Sequence, residues 1–228
     1  MKKILNTNCL KIIAILSMLL DHIAYLFISA NNVLYYIFRI IGRVCAPIMF
    51  FGIANGYKHT SNKKKYGLRL LIFAFISQIP YSLFISGKVF LFNNYNVIFT
   101  LFLSFLTILI FDKCSKKIVK YSLMFLCVAL SYFCDWGIIG VLISLMFYII
   151  NERKYAYIGY TILCICYILI NTLIYKNIVW LIVNIGLFLP MIFIYLYNDK
   201  KGKLNLKYLF YTFYPLHLLV LYFIFKLV

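Results

Sequence analysis

LKIIAILSMLLDHIAYLFI, Leu10–Ile28, is the stretch that decides the fold class. It holds Lys11 near its start, Asp21 and His22 towards its end, and otherwise almost nothing that water would solvate. Wound as an α-helix at 1.5 Å per residue it is about 28 Å long, which matches a hydrocarbon core of about 30 Å. Lys2 and Lys3 precede it, as basic residues precede the apolar core of a secretory leader. No small-residue cleavage site follows, and Asp21 and His22 interrupt the apolar run. The segment therefore reads as a retained first transmembrane helix.

The rest of the chain repeats the pattern. Of 228 residues 65% are hydrophobic and only 12% charged, with a mean hydropathy of +0.97. A soluble domain carries about a quarter charged residues to solvate its surface. Five acidic and 23 basic side chains do not suffice, so the apolar surplus faces lipid. The fold class expected is all-α, a polytopic transmembrane helical bundle in the cell membrane, with the lipid bilayer as its first partner. About nine spans are expected: Leu10–Ile28, Val44–Tyr57, Leu68–Ile85, Val97–Phe111, Val119–Phe133, Ile138–Ile150, Tyr155–Ile174, Val179–Tyr197 and Tyr208–Leu227. Val33–Ile41, just before the second, reads either as an interfacial helix or as the true start of that span. No linker, composition shift or internal repeat divides the chain, so residues 1–228 are expected to form a single domain.

Charge gives the orientation. Lys2, Lys3, Lys11, Lys58, Lys63, Lys64, Lys65, Arg69, Lys113, Lys116, Lys117, Lys120, Arg153, Lys154, Lys200, Lys201, Lys203 and Lys207 fall in alternate loops, against Arg39, Arg43, Lys88, Lys176 and Lys226 on the opposite side. Cytoplasmic loops of membrane proteins carry such an excess, which predicts an N-terminus inside. The same pattern argues against nucleic acid as a partner despite a formal net charge of +18, because the basic residues lie in short clusters between apolar runs. Such clusters suit anionic headgroups or an anionic cofactor. Cys9, Cys45, Cys114, Cys127, Cys134, Cys164 and Cys166 are scattered without a C-x-x-C pair. Neither a metal site nor a disulfide framework is expected from them.

Ionisable groups at membrane depth carry the functional information, since burying them is costly. Asp21 lies ten and His22 eleven residues beyond Lys11, the latter a rise of about 16 Å, past the bilayer centre. Helical neighbours point about 100° apart, so the two cannot be assumed to form a dyad. Arg39 and Arg43 break the charge pattern on the outer side and, spaced i, i+4, share a face. They are expected either to grip one anionic group or to pair with Asp21 and Asp135. Asp135, in the Asp135–Trp136–Gly137 turn, and Asn96, at the head of the fourth span, are expected on the same outer side. A base, an orienting carboxylate and cationic donors form a set that acyl transfer can use. Lys58, His59, Lys63, Lys64, Lys65 and Arg69 form a basic cluster inside, read as topology signal or as a docking site for a phosphorylated cofactor. His217 lies midway along the last span. No Walker loop, G-x-G-x-x-G or H-E-x-x-H motif offers another chemistry.

These residues sit within LKIIAILSMLLDHIAYLF (Leu10–Phe27), RIIGRVCAPIMFFGIANGYKHTSNKKKYGLRLLIFAFISQIPYSLF (Arg39–Phe84), NVIFTLFL (Asn96–Leu103), DWGIIGVLISLMFYI (Asp135–Ile149) and KYLFYTFYPLHLLVLY (Lys207–Tyr222). In order and spacing these stretches resemble the TraX family, named for the membrane protein that acetylates the N-terminus of F-type conjugative pilin. The Asp-His, Arg-x-x-Gly-Arg, His-Thr and Tyr-Pro-x-His elements carry the resemblance. Two positions depart from the family pattern: Ala24 stands where Gly is common and Trp136 where Tyr is common. Neither removes a reactive group.

The resemblance implies an integral membrane acetyltransferase that takes acetyl-CoA as co-substrate, without a metal. The acceptor would be an amine or hydroxyl in the membrane or envelope, such as a pilin N-terminus. His22 matches the first-helix histidine of wider multispan acyltransferases, which implies a general base, with an acetyl-histidine intermediate as the alternative route. Asp21 or Asp135 would orient it, and Arg39 or Arg43 would stabilise the oxyanion or hold the acceptor. The competing classes are a small multispan transporter, in which the same ionisable residues line a path, and a non-catalytic membrane assembly protein.

Overall fold

The computed structural model of the protein describes residues 3–90, 94–204, 206 and 208–227. Lys2 and Lys207, counted above among the inner cations, lie outside the described residues. Among those described the regular elements are helices only: α1 (Thr7–Phe27), α2 (Val33–Gly42), α3 (Cys45–His59), α4 (Lys63–Ser86), α5 (Val97–Lys113), α6 (Lys117–Ser131), α7 (Gly137–Ile149), α8 (Arg153–Tyr175), α9 (Ile178–Asn184), a 3₁₀ turn (Ile185–Phe188), α10 (Leu189–Tyr195) and α11 (Leu209–Leu227). Asparagine starts many of them. The side-chain oxygens of Asn6, Asn32, Asn62, Asn96 and Asn177 accept from backbone N–H groups in the first turns of α1, α2, α4, α5 and α9. These are donors that the helix itself leaves unsatisfied. Gly87, with φ 69°, ends α4 in the left-handed region that a glycine enters without steric penalty.

Among the described residues six helical segments are long and apolar enough to cross a membrane: Thr7–Phe27, Val33–His59, Lys63–Ser86, Arg153–Tyr175, Ile178–Tyr195 and Leu209–Leu227. The expected count of nine spans is corrected accordingly. α5, α6 and α7 have 17, 15 and 13 residues and fall short of the roughly 20 that a crossing requires. Val33–Ile41 proves to be the start of the second span, since α2 and α3 together form a segment of 27 residues. Large apolar side chains such as Phe75 on α4, Phe125 on α6, Leu173 on α8 and Phe223 on α11 are more than half exposed. An apolar exterior of that extent suits lipid rather than water.

The chain forms two compact units, with the boundary inside α3. The first comprises Met1–Met49 and Arg153–Val228. In it α1 packs against both α2 and α11. α11 runs parallel to α1: Lys11 Nζ donates to Leu206 O at 3.5 Å, His22 meets His217, and Phe27 meets Phe225. One end of this unit is tied by short-range polar contacts. Leu5 N donates to Leu196 O at 3.0 Å, Asn198 N donates to Leu5 O at 2.8 Å, and Arg153 donates to Tyr197 O at 2.9 Å while pairing with Asp199 at 2.5 Å. The N-terminal ends of α1 and α8 and the C-terminal end of α10 therefore meet, and their lysines and arginine gather at one end of the unit.

The second unit, Phe50–Glu152, packs α5 against α4, α6 and α7. Its helices alternate in direction between two chemically distinct ends. At one, Asp112 receives Tyr57 and Tyr148 and lies beside Lys63 and Lys113. At the other, Tyr95 pairs with the Phe133–Asp135 backbone, and Gln78 binds the chain at Asn94 and Asn96.

Candidate active site

Asp21 and His22 are adjacent on α1, and their side chains leave the helix towards different neighbours, as a step of about 100° requires. Asp21 faces α2. Its Oδ2 pairs with Arg39 Nη1 at 2.8 Å, and both side chains are 17% exposed. His22 faces α11. Its Nδ1 lies 2.7 Å from His217 Nε2. The two rings are nearly parallel, at 12°, with centroids 5.0 Å apart. Face-stacked rings keep atoms at van der Waals separation, about 3.5 Å or more. A nitrogen–nitrogen distance of 2.7 Å therefore sets the rings edge to edge, joined by an in-plane hydrogen bond.

Asp21, one of the two carboxylates expected to orient His22, is thus engaged elsewhere. Asp21 holds Arg39, and the imidazole partner is a second imidazole from the opposite end of the chain. His217 is in turn held by its own helix: its Nδ1 donates to Phe213 O at 2.8 Å, and its ring stacks on Phe213 with centroids 4.8 Å apart.

Arg39 also sits over the rings of Tyr25 and Tyr35, 5.7 and 5.9 Å from their centroids. Such cation–π contacts favour a guanidinium where water is scarce. Arg43 caps α2 and, with Arg39, acts electrostatically on both Asp21 and His22. The close approach of α1 and α2 depends on Gly42, where a Cβ would run into the Asp21 side chain. The Arg-x-x-Gly-Arg element therefore works as one device, with a cation on either side of the glycine that lets α1 come near.

Asn96 and Asp135 belong to the second unit. Asn96 is fully buried, and each polar atom of its side chain is engaged. Oδ1 accepts from Ile98 N at 3.0 Å, and Nδ2 donates to Ala74 O and Gln78 Oε1, both at 2.8 Å. Gln78 also donates to Asn94 O at 3.0 Å, and Tyr81 donates to Asn94 Oδ1 at 2.9 Å. This is a satisfied knot tying α4 to the head of α5, and it makes Asn96 structural. Asn96→Ala removes the cap, about 1 kcal/mol, and the two hydrogen bonds to Ala74 O and Gln78 Oε1, at about 0.5–1.5 kcal/mol each, while Gln78 Oε1 keeps the backbone N–H of residue 96. The variant is expected to melt about 4–16 °C lower in detergent, on a scale of about 2–4 °C per kcal/mol for a chain this size. Asp135 accepts from Thr100 Oγ1 through its backbone carbonyl and receives its place from Asp135 N donating to Tyr95 O at 2.7 Å. Trp136, at φ 65°, follows it.

The basic cluster divides. Lys58 donates to Asn151 Oδ1 at 2.9 Å, and His59 Nδ1 bonds Asn55 O of the preceding turn at 2.9 Å. Lys63 lies 3.8 Å from Asp112 and 4.5 Å from the Tyr57 ring centroid. Arg69 lies over Tyr66 at 5.7 Å. Lys64 and Lys65 are exposed and, among the described residues, in no ion pair with an acid. Asp112 is the organiser that sequence reasoning missed, together with Tyr57, Tyr148 and Asn151. The signal available was scarcity: with five acids to 23 bases, any acid at a basic helix end is bound to be claimed.

An imidazole at membrane depth can accept a proton, and a guanidinium can stabilise negative charge developing on an oxygen. Among the described residues no group of three or more His, Cys, Asp or Glu side chains is placed to hold a metal ion. No solved structure matches the chain. A curated relative, the "Probable fimbrial assembly protein FimC, serogroup H1" of Dichelobacter nodosus, is 34% identical over 225 residues, covering 93% of this chain and 92% of that one. Residues 6–225 match the family described as TraX protein. With almost its whole length matched and six helices able to cross a bilayer, the chain is a multi-pass membrane protein that belongs to the TraX family.

Proposed function

We propose that this chain is a membrane acetyltransferase that moves the acetyl group of acetyl-CoA to an amine or hydroxyl acceptor, with a fimbrial subunit as the acceptor class. The hydrogen bond of the His22 imidazole to His217, with the Asp21–Arg39 pair at the preceding position of the same helix, is the observation that carries it. The family's link to pilin acetylation and the name of the Dichelobacter relative support the acceptor. In the reaction the acceptor nitrogen or oxygen bonds to the thioester carbonyl carbon as His22 takes its proton. Arg43 stabilises the resulting oxyanion. Collapse breaks the C–S bond, and the imidazolium returns the proton to the departing thiolate, giving acetylated acceptor and CoA thiol. No protein nucleophile is needed.

The basic helix ends are proposed to face the cytoplasm, where coenzyme A is kept. Lys64 and Lys65, exposed and without acidic partners, are the cations proposed to meet its phosphates, with Lys58, His59, Lys63 and Arg69 behind them. Lys64→Gln with Lys65→Gln is expected to raise KM for acetyl-CoA about 2–30-fold, as two exposed charge contacts of about 0.2–1 kcal/mol each imply. Loss of uniform binding leaves kcat near wild type, and the effect should shrink as salt is added. An unchanged KM would reduce the cluster to a topology signal.

A second reading, a membrane assembly protein without chemistry, is favoured by the relative's name alone. Purified protein in nanodiscs separates the two. Release of CoA thiol that depends on a fimbrial-subunit peptide or another amine supports transfer, and no turnover with any amine or hydroxyl acceptor supports assembly.

A further inference from the structure

We propose that His217 is the positioning residue that sets the tautomer of His22, through a relay Phe213 C=O···H–Nδ1 His217 Nε2···H–Nδ1 His22. The inference rests on the acetyltransferase reading only for its catalytic consequence. The relay itself follows from two distances and the donor inventory of a neutral imidazole.

A neutral histidine has one N–H and one lone pair, and which nitrogen carries the proton is decided by what the nitrogens face. Phe213 O can only accept, so at 2.8 Å from it His217 Nδ1 must carry the proton. That leaves the lone pair of neutral His217 on Nε2. His22 Nδ1 lies 2.7 Å from this lone pair and must therefore be the donor. His22 is then protonated on Nδ1, and its basic lone pair stands on Nε2. The opposite assignment would set two lone pairs or two protons against each other across 2.7 Å.

The arrangement is held on both sides. His217 is 6% exposed, and its ring is stacked on Phe213 one helical turn back. α11 runs parallel to α1, so the rise that places residue 217 opposite residue 22 also brings Phe225 against Phe27. A carboxylate in the place of His217 would orient His22 as well. It would also add a charge in an apolar setting, where Asp21 already needs Arg39. A neutral imidazole supplies the acceptor without that charge.

The test reads the tautomer directly. In protein labelled with ¹⁵N-histidine and set in nanodiscs, NMR should find neutral His22 protonated on Nδ1, with His22→Asn identifying the signal. In His217→Leu the acceptor is gone, so both tautomers should appear, and kcat should fall about 10–100-fold, as for other residues that orient a reactive histidine, with KM for acetyl-CoA unchanged. His217→Gln keeps an acceptor oxygen where Nε2 stood, so it should restore the single tautomer and most of the rate. A simple packing role would move neither the tautomer nor the Leu-to-Gln rescue. Wild-type His22 protonated on Nε2, or a His217→Leu protein with the tautomer intact, would overturn the relay. A correct tautomer in a protein that transfers no acetyl group would overturn the acetyltransferase reading and leave the relay standing.

Discussion

His22→Ala is expected to slow acetyl transfer by about 10²–10⁴-fold, the range that a lost general base removes. The loss should appear equally in kcat and kcat/KM, because proton removal is needed only as the acceptor attacks. Alanine also strips His217 of its hydrogen-bond partner and leaves a void, so a fall in rate could be attributed to a disturbed helix pair. His22→Asn answers that objection. Its amide nitrogen can still donate to His217 Nε2, which lies 2.7 Å from the present donor, but an amide has no basic lone pair. Both variants should insert and purify as wild type, and both should be slow. Steady-state release of CoA thiol from nanodisc preparations checks this, and a near-normal rate in either variant would remove His22 from the mechanism.

Class and membrane character are legible in the sequence because they depend on sums over many residues. Apolar excess, the scarcity of acids and alternating basic loops survive errors at any one position. The number of spans depends instead on where helices start and stop. The runs Val97–Phe111, Val119–Phe133 and Ile138–Ile150 are apolar but short, with 15, 15 and 13 residues, and the helices over them have 17, 15 and 13. Counting apolar runs as crossings overcounts when a run is shorter than the roughly 20 residues a crossing needs. Of the two readings of Val33–Ile41, the start of the second span is the one that holds, because α2 and α3 follow one another, across a turn at Arg43 and Val44, as the single segment Val33–His59.

The site divides in the same way. Asp21, His22, Arg39 and Arg43 stand out because an ionisable group within an apolar run is rare. Their pairing is a different matter, since it depends on which helices are neighbours. Asp21 meets Arg39 because Gly42 lets α2 approach α1. His22 meets His217 because α11, 195 residues away in the chain, lies parallel to α1. No periodicity within either helix encodes that juxtaposition. Asn96, a polar residue at a span's head, reads as substrate-binding or structural from sequence alone, and its three side-chain hydrogen bonds favour the structural reading.

Arg39→Leu is expected to cost about 1–3 kcal/mol, since it strips a largely buried carboxylate oxygen of its hydrogen-bonded partner. Asp21 would keep the electrostatic influence of Arg43, in a setting where both Asp21 and Arg39 are 17% exposed. Its second oxygen, Oδ1, already lacks a hydrogen-bond partner. On the scale of about 2–4 °C per kcal/mol, the variant should melt about 2–12 °C below wild type. Asp21→Asn should be milder, because Arg39 keeps the faces of Tyr25 and Tyr35. The double variant, Asp21→Asn with Arg39→Leu, removes both charges and should recover most of the stability lost in Arg39→Leu, as neutral replacements of buried pairs commonly do. The recovery identifies the pair as a clamp between α1 and α2, with its coupling energy given by the double-mutant cycle. Melting temperatures of the four proteins in one detergent decide the matter. A double variant as unstable as Arg39→Leu would mean that Arg39 holds the fold through Tyr25 and Tyr35 and that its bond to Asp21 contributes nothing measurable.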